Sequence, residues 1–96
     1  MSGKLLASIG KWSNLMRRVA ESVKVAAIFA PGSKIKPVWF EWRRQKHAVT
    51  ELSYFWKDHE GASARLHFAV SDGSNLFELM FNASDQNWTL EGVEEH

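Results

Sequence analysis

Residues 36–57 contain two runs rich in aromatic and β-branched residues, separated by a short basic segment. This arrangement is typical of a β-hairpin. In the first run Val38, Phe40 and Trp42 alternate with Trp39, Glu41 and Arg43, so one face of the predicted strand is wholly apolar. We expect that face to lie in a core and the turn to lie near residues 43–46. A chain with this hairpin at its centre is predicted to be mainly β.

Further strands are predicted on both sides of the hairpin. Residues 23–30 are rich in Val, Ile, Phe and Ala and end at a Pro-Gly-Ser turn signal. Residues 65–71 alternate again and run into Asp72–Gly73, a strong signal for a two-residue hairpin turn. That loop length would pair Phe68 with Phe77. A last short strand is expected from Trp88.

The second arm of the central hairpin changes phase. Val49 should face the core, yet the next apolar set, Leu52, Tyr54 and Trp56, alternates out of phase with it. One extra residue near positions 50 and 51, a β-bulge, would restore the phase and curve the sheet. The predicted fold for residues 23–96 is therefore a single domain, a curved antiparallel sheet or small open barrel of five to six strands. Its core is expected to contain Phe40, Trp42, Tyr54, Trp56, Phe68, Phe77, Leu79 and Trp88.

Residues 1–22 are predicted to form an N-terminal amphipathic helix or extension, with the helix over 4–20. Its apolar stripe follows helical spacing and consists of Leu5, Ile9, Trp12, Met16 and Val19. Three interpretations stay open: packing on the sheet, a partly disordered extension, or a membrane-surface or partner helix. A helix or a second subunit is expected to cover a second apolar sheet face, formed by Trp39, Phe55, Ala69, Leu76 and Met80.

Charge is distributed unevenly along the chain. Residues 1–47 contain ten Lys or Arg and two Glu, whereas residues 48–96 contain two basic and nine acidic residues. Such asymmetry can indicate an anionic partner. The alternative is that the two halves interleave in the sheet and pair with each other.

Composition excludes several kinds of site. The chain has no cysteine, so disulfides, thiolate metal sites and a cysteine nucleophile are impossible. No apolar stretch approaches the roughly 20 residues that span a bilayer, and no signal-like segment is present. A cytoplasmic location is expected.

Several of these residues carry a family resemblance. The segment Pro37, Val38, Phe40, Trp42 and Arg43, with Trp56, Asp72, Gly73, Trp88 and Leu90 downstream, resembles a family of small, uncharacterised bacterial all-β domains. It is also similar to a C-terminal segment of some translesion-polymerase-like proteins. The resemblance covers roughly residues 23–93 and departs from the family at the turn, where members often have glycine. It implies the fold and no activity.

The histidines show no metal-ligand spacing and no accompanying nucleophile turn, so we expect no enzyme, no cofactor and no metal. His67 is predicted to face Glu78 as a cross-strand charge pair. The candidate binding residues are Trp39 and the cations around it, Lys34, Lys36, Arg43, Arg44 and Lys46. The leading hypothesis is a protein-interaction module that self-associates or docks to a larger protein. The alternative is single-stranded nucleic-acid binding, with Trp39 as a stacking platform.

Overall fold

The computed structural model describes residues 16–32 and 34–95, and these residues form eight strands and no helix. The strands are β1 (Arg17–Ser22), β2 (Lys24–Ala30), β3 (Lys34–Trp42), β4 (Gln45–Ala48), β5 (Glu51–Glu60), β6 (Ser63–Ser71), β7 (Leu76–Asn82) and β8 (Asn87–Glu94). The mainly β prediction is confirmed, but the predicted strand number of five to six is too low.

All pairings are antiparallel and build two sheets that do not close into a barrel. One sheet has five strands in the order β1-β8-β7-β6-β5, and the other has three in the order β2-β3-β4. Aromatic and aliphatic side chains from both sheets meet in one core, as expected when each sheet has one apolar face. Its buried members are Phe40, Trp42, Phe68, Val70, Phe77, Leu79, Phe81, Leu90 and Val93.

The central hairpin is confirmed for β3 and β4, but its second arm does not continue as one strand. The Val49 amide donates to the carbonyl of Val38 in β3, whereas the next amide, Thr50, donates to the carbonyl of Ser71 in β6. The chain therefore crosses from the three-stranded to the five-stranded sheet between these two residues. This crossing accounts for the phase change at Val49. The bulge itself lies at Ser53, beyond the predicted positions 50 and 51.

The bulge reverses the predicted faces of β5 from Tyr54 onwards, whereas Leu52 keeps its predicted core side. Phe55 pairs with Phe68 on the core side, and Trp56 pairs with His67 on the opposite side. Tyr54 and Trp56 were expected in the core, and that prediction is wrong. Tyr54 is 39% exposed. Register decides the faces of a whole strand, because side chains alternate with a period of two.

A second bulge changes the first arm of the hairpin. Ala26 pairs with Trp39 and Ala27 with Pro37, so Val38 is an extra residue in β3. Pro37 is consequently buried, whereas Val38 is 38% exposed rather than in the core. Phe40 and Trp42 remain buried as predicted.

The β6–β7 hairpin has a four-residue loop instead of the predicted two-residue turn. Ser71 pairs with Leu76, and Phe68 therefore pairs with Leu79 and not with Phe77. The Asp72 carboxylate accepts hydrogen bonds from the amides of Ser74 and Asn75, which stabilises the longer loop. The shift is two residues, so every side chain keeps its predicted face.

The predicted helix over 4–20 is wrong for residues 17–20, which lie in β1, a strand that pairs with β8 and has an irregularity between Arg18 and Glu21. Long-range pairing here overrides a helical pattern that the local sequence supports. Residues 17–22 therefore belong to the five-stranded sheet and not to an N-terminal extension. The rest of the predicted helix, with its apolar stripe before Met16, lies outside the described residues.

Candidate binding cleft and basic face

The outer side of the three-stranded sheet, here called the basic face, carries most of the predicted binding residues. Its positions follow from the cross-strand pairs Lys24↔Glu41, Ala26↔Trp39, Ile28↔Lys36, Ala30↔Lys34, Glu41↔Lys46 and Trp39↔Ala48. Paired residues share a face of a sheet, so these side chains all point away from the core. The expectation that Trp39 faces outward is confirmed.

Charge on the basic face is not neutralised by the acidic half of the chain. Residues 24–48 form the whole three-stranded sheet and carry six cations against Glu41. Within the described part of the chain, Lys24, Lys34, Lys36 and Lys46 make no ion pair with an acidic residue. The alternative in which the two halves interleave is therefore wrong for this sheet.

Trp39 lies between two lysines on this face. The Lys46 ammonium is 4.3 Å from the centre of the indole ring, and the Lys24 ammonium is 5.9 Å from it. Both distances fall within the range of cation–π attraction. The ring is half-buried. It forms an aromatic platform bordered by positive charge.

The turn of the β3–β4 hairpin consists of Arg43 and Arg44, and both residues have positive φ, 53° and 65°. These values fit a type I′ turn, in which Asn and Gly are the favoured residues. Arg43 is held at the sheet margin, because its guanidinium lies 4.5 Å from the Trp42 ring and 3.9 Å from the Glu21 carboxylate. Arg44 is exposed and makes no ion pair in the described residues.

The predicted cations do not form one cluster. Arg43, Arg44 and Lys46 lie at the turn, whereas Lys34 lies at the far end of β3, about 26 Å away for eight extended residues. Trp39 lies between these two groups. The structure therefore divides the predicted site into a turn group and a second group, Lys34 and Lys36.

The second group borders a cleft between β3 and β5, here called the intersheet cleft. Its volume is about 830 Å³, within the range of ligand-binding pockets. It opens where β4 ends, since β4 pairs only with residues 39–42 of β3. The lining residues are Ile28, Ala30, Gly32, Lys34, Ile35, Lys36, Pro37, Val49, Thr50, Glu51, Leu52, Phe55 and Lys57.

The cleft combines an apolar lining with a basic border. Leu52 and Phe55 lie on its β5 wall and are 44% and 46% exposed, large fractions for side chains on the core side of a sheet. Lys34, Lys36 and Lys57 provide three positive charges around it, against the single carboxylate of Glu51. Such a surface suits a ligand with apolar groups and negative charge.

A charged cluster lies on the outer side of the five-stranded sheet. His67 is buried, and its two ring nitrogens lie 3.1 Å from Glu78 Oε2 and 3.1 Å from Asp58 Oδ1. Asp58 also accepts two hydrogen bonds from the guanidinium of Arg65. The His67 ring stacks on Trp56, with ring centres 4.9 Å apart.

The cluster fits a protonated imidazole. Burial alone would lower the pKa of His67, but hydrogen bonds to Glu78 and Asp58 outweigh it and raise that pKa above 6.5. An imidazolium can donate from both nitrogens, whereas a neutral ring has one donor. The predicted His67–Glu78 contact is confirmed, although the two residues are diagonal neighbours and not directly opposite.

A second histidine ties the two sheets together. His47 of β4 contacts the Asp72 carboxylate after β6 through Nδ1 at 2.9 Å, and its ring stacks on Phe40. Its Nε2 is buried without a hydrogen-bond partner in the described residues. Burial would raise the pKa of Asp72, but hydrogen bonds from the Asn75 amide, His47 and the Ser74 amide lower it below 3.8.

The predicted second apolar face is only partly assembled. Ala69, Leu76 and Met80 share the outer side of the five-stranded sheet, as their pairings with Glu78, Ser71 and His67 show. Trp39 lies on the other sheet, and Phe55 lies on the core side. The prediction is wrong for Trp39 because it assumed a single sheet, and for Phe55 because the bulge at Ser53 changes the faces of β5.

Over residues 16–32 and 34–95, no group of three or more His, Asp or Glu side chains is arranged to hold a metal ion. No helix in that part of the chain is long and apolar enough to cross a membrane. Comparison with family models, curated proteins and solved structures finds no match to this chain. The resemblance to uncharacterised bacterial β-domains stays a prediction.

Sequence reasoning did not single out Lys24, Leu52, Phe55 and Lys57 as site residues. The alternation of Phe55 with Lys57 was a usable signal, because two side chains of the same phase lie on one face. Their shared cleft could not be inferred, since it depends on the distance between β3 and β5.

Proposed function

We propose that this protein is a non-enzymatic protein-interaction module that binds an apolar, acidic segment of a partner protein in the intersheet cleft. The observation that carries the proposal is the cleft itself, with apolar walls and three lysines at its border. A cytoplasmic location, expected from the sequence, belongs to the same proposal.

The exposed apolar residues support this site. Leu52 and Phe55 leave nearly half of their surface in contact with solvent. A ligand in the cleft would cover this apolar surface. Burying apolar surface stabilises a complex by roughly 25 cal/mol per Å² before the costs of association. The lysines add selectivity for acidic segments, since electrostatic complementarity determines partner choice more than affinity.

The proposal is tested by titrating the protein with two synthetic peptides in which every second residue is serine. The residues between the serines are two valines followed by two glutamates in one peptide and two valines followed by two lysines in the other, so that in an extended strand they share one face. We expect the acidic peptide to shift the NMR signals of Leu52, Phe55 and Ile35, and the basic peptide to leave them unchanged. Equal binding of both peptides, or of neither, would contradict the proposal.

A matched pair of variants locates the site. Leu52→Asp introduces a charge into the cleft wall, whereas Tyr54→Asp introduces the same charge on the opposite side of the same strand. The two residues are similarly exposed, at 44% and 39%, so both variants should fold. Leu52→Asp should abolish binding of the acidic peptide and Tyr54→Asp should leave it intact.

A second candidate function, single-stranded nucleic-acid binding, is favoured by the segregation of charge on the basic face. Unneutralised lysines border Trp39, and Arg43 and Arg44 occupy turn positions where non-glycine residues are disfavoured. Residues in sparsely populated conformations are concentrated at functional sites. Phosphate contacts from the cations and stacking on the indole would then supply the affinity.

Binding to a thymidine oligonucleotide as a function of salt tests this candidate. Replacing Arg43 and Arg44 by alanine should flatten the slope of log affinity against log salt by about 0.7 for each lost contact, whereas Trp39→Ala should weaken binding at every salt concentration. Arg17→Ala, in an ion pair with Glu95, serves as the control. No binding by the natural chain at about 50 mM salt would exclude this candidate.

A further inference from the structure

Within the described residues, β5 is the outermost strand of the five-stranded sheet, and its second edge, here called the free edge, has no strand neighbour. In that part of the chain the ten-residue strand pairs with β6 alone, and Ser53 is an unpaired bulge. A long edge strand with exposed apolar side chains presents backbone donors and acceptors to any chain that can pair with them. The cleft side chains Leu52 and Phe55 lie on this same strand.

The hairpin geometry determines which β5 residues present their backbone at the edge. Glu60 pairs with Ser63 across the two-residue turn 61–62, and Gly61 has φ of 60°, as a type II′ turn requires. Such a turn is closed by a hydrogen-bonded pair, and hydrogen-bonded pairs alternate along an antiparallel ladder. The amides and carbonyls of Phe55, Lys57 and His59 therefore point away from β6, towards the free edge.

We propose that the segment bound in the cleft adds to the free edge of β5 as a ninth strand, with acidic side chains near Lys57, Lys34 and Lys36. This inference rests on the proposed function and specifies its binding mode. Backbone hydrogen bonds to Phe55, Lys57 and His59 supply affinity, and alternate side chains of the added strand enter the cleft. The acidic character follows from the three lysines that border the cleft.

Charge argues against a second copy of this chain as the occupant. Pairing of β5 with β5 of another copy would bring two lysine-bordered clefts together, since each carries Lys34, Lys36 and Lys57. Like charges in such an interface disfavour association. An acidic strand from another protein neutralises these charges instead.

Two N-methylated versions of the acidic valine–glutamate peptide test strand addition. In each version every second amide is methylated, and the two versions differ in which set is blocked. Only one set of amides can face β5, because the donors of an extended strand alternate in direction. We expect one version to lose affinity about tenfold or more and the other to bind like the unmodified peptide. Hydrogen exchange at the amides of Phe55, Lys57 and His59 should slow on binding of the unmodified peptide.

Other outcomes would overturn the inference in distinguishable ways. If both methylated peptides bind like the unmodified one, the cleft accepts a segment without strand pairing, so the proposed function stands and strand addition is wrong. If laurate displaces the peptide and protects no β5 amide, the cleft is a site for amphipathic anions. If no peptide binds, the proposed function and strand addition are both wrong. Dimerisation at rising concentration, with protection of the same three amides, would identify a second copy as the added strand.

Discussion

The two sheets of this protein differ in how many of their charged side chains form ion pairs and in how completely their strands are paired. In the five-stranded sheet, Arg65 and His67 each contact two carboxylates. Arg17 of β1 contacts Glu95, directly after β8, and Arg18 of β1 contacts Glu91 of β8. In the three-stranded sheet, the lysines have no ion pair in the described residues, and the first half of β3 pairs there with β2 on one side and with no strand on the other. We infer that the first sheet provides most of the stability and that the binding surface lies where its outermost strand, β5, faces the second sheet.

The two sheets are joined at few polar points. Glu21 of β1 accepts a hydrogen bond from the Trp42 indole of β3, and Asp72 contacts His47 of β4. None of these four residues lines the intersheet cleft. The molecule thus combines a closed, aromatic core with an open margin, and the two regions should respond differently to the same substitution.

The largest expected effect is at the core. Phe68 is fully buried, and Phe55, its cross-strand partner, is 46% exposed. Phe68→Ala should lower the free energy of unfolding by about 3–5 kcal/mol, because it removes a buried ring and leaves a cavity. Phe55→Ala should cost much less. Equal losses in urea denaturation would contradict the difference between the closed core and the open cleft.

The His67 cluster should make stability depend on pH. Since hydrogen bonds to Glu78 and Asp58 raise the pKa of His67 in the folded protein, its contribution is fully present below pH 6.5 and is lost as pH rises through the folded pKa. His67→Gln should cost about 1.5–3 kcal/mol at pH 6 and less at pH 9. Urea denaturation at both pH values checks this. A variant penalty that is independent of pH would show that the imidazolium is not the stabilising form.

Asp72 should act in the opposite pH direction and at the junction between the sheets. Its pKa is lowered in the folded protein, so its contribution is present above pH 3.8 and is lost as pH falls through the folded pKa. Asp72→Asn should cost about 1–2 kcal/mol at pH 7 and less at pH 2.5. Asp85→Asn, in the exposed β7–β8 turn, is the control. A larger loss in the control would contradict the role of Asp72.

The smallest effect is expected at the arginine turn and has the opposite sign. Arg44 has φ of 65°, which glycine adopts without steric cost, so Arg44→Gly should raise stability by about 0.5–1 kcal/mol. Gln45→Gly, at the first residue of β4, should instead lower stability. Thermal denaturation of both variants measures the contrast. A loss on Arg44→Gly would show that the arginine makes a stabilising contact in the folded protein.

The sequence by itself determined the local features of this protein. Alternation identified the β3–β4 hairpin and the buried Phe40, Trp42 and Phe68, because a period of two depends only on neighbouring residues. The outward position of Trp39 followed from the same pattern. The uneven charge distribution could also be read from the sequence, and its change of sign after residue 47 lies close to the crossing from the three-stranded to the five-stranded sheet between Val49 and Thr50.

Only the tertiary structure decided which strands pair. Nothing local distinguishes a bulge near Thr50 from a crossing between sheets followed by a bulge at Ser53, yet the two place Phe55 and Trp56 on opposite faces. Residues 17–20 follow a helical period but pair with β8, since that pairing supplies contacts the isolated segment lacks. The intersheet cleft arises from the same long-range choice. Its walls, β3 and β5, belong to different sheets. The position of one sheet against the other depends on the packing of the whole core.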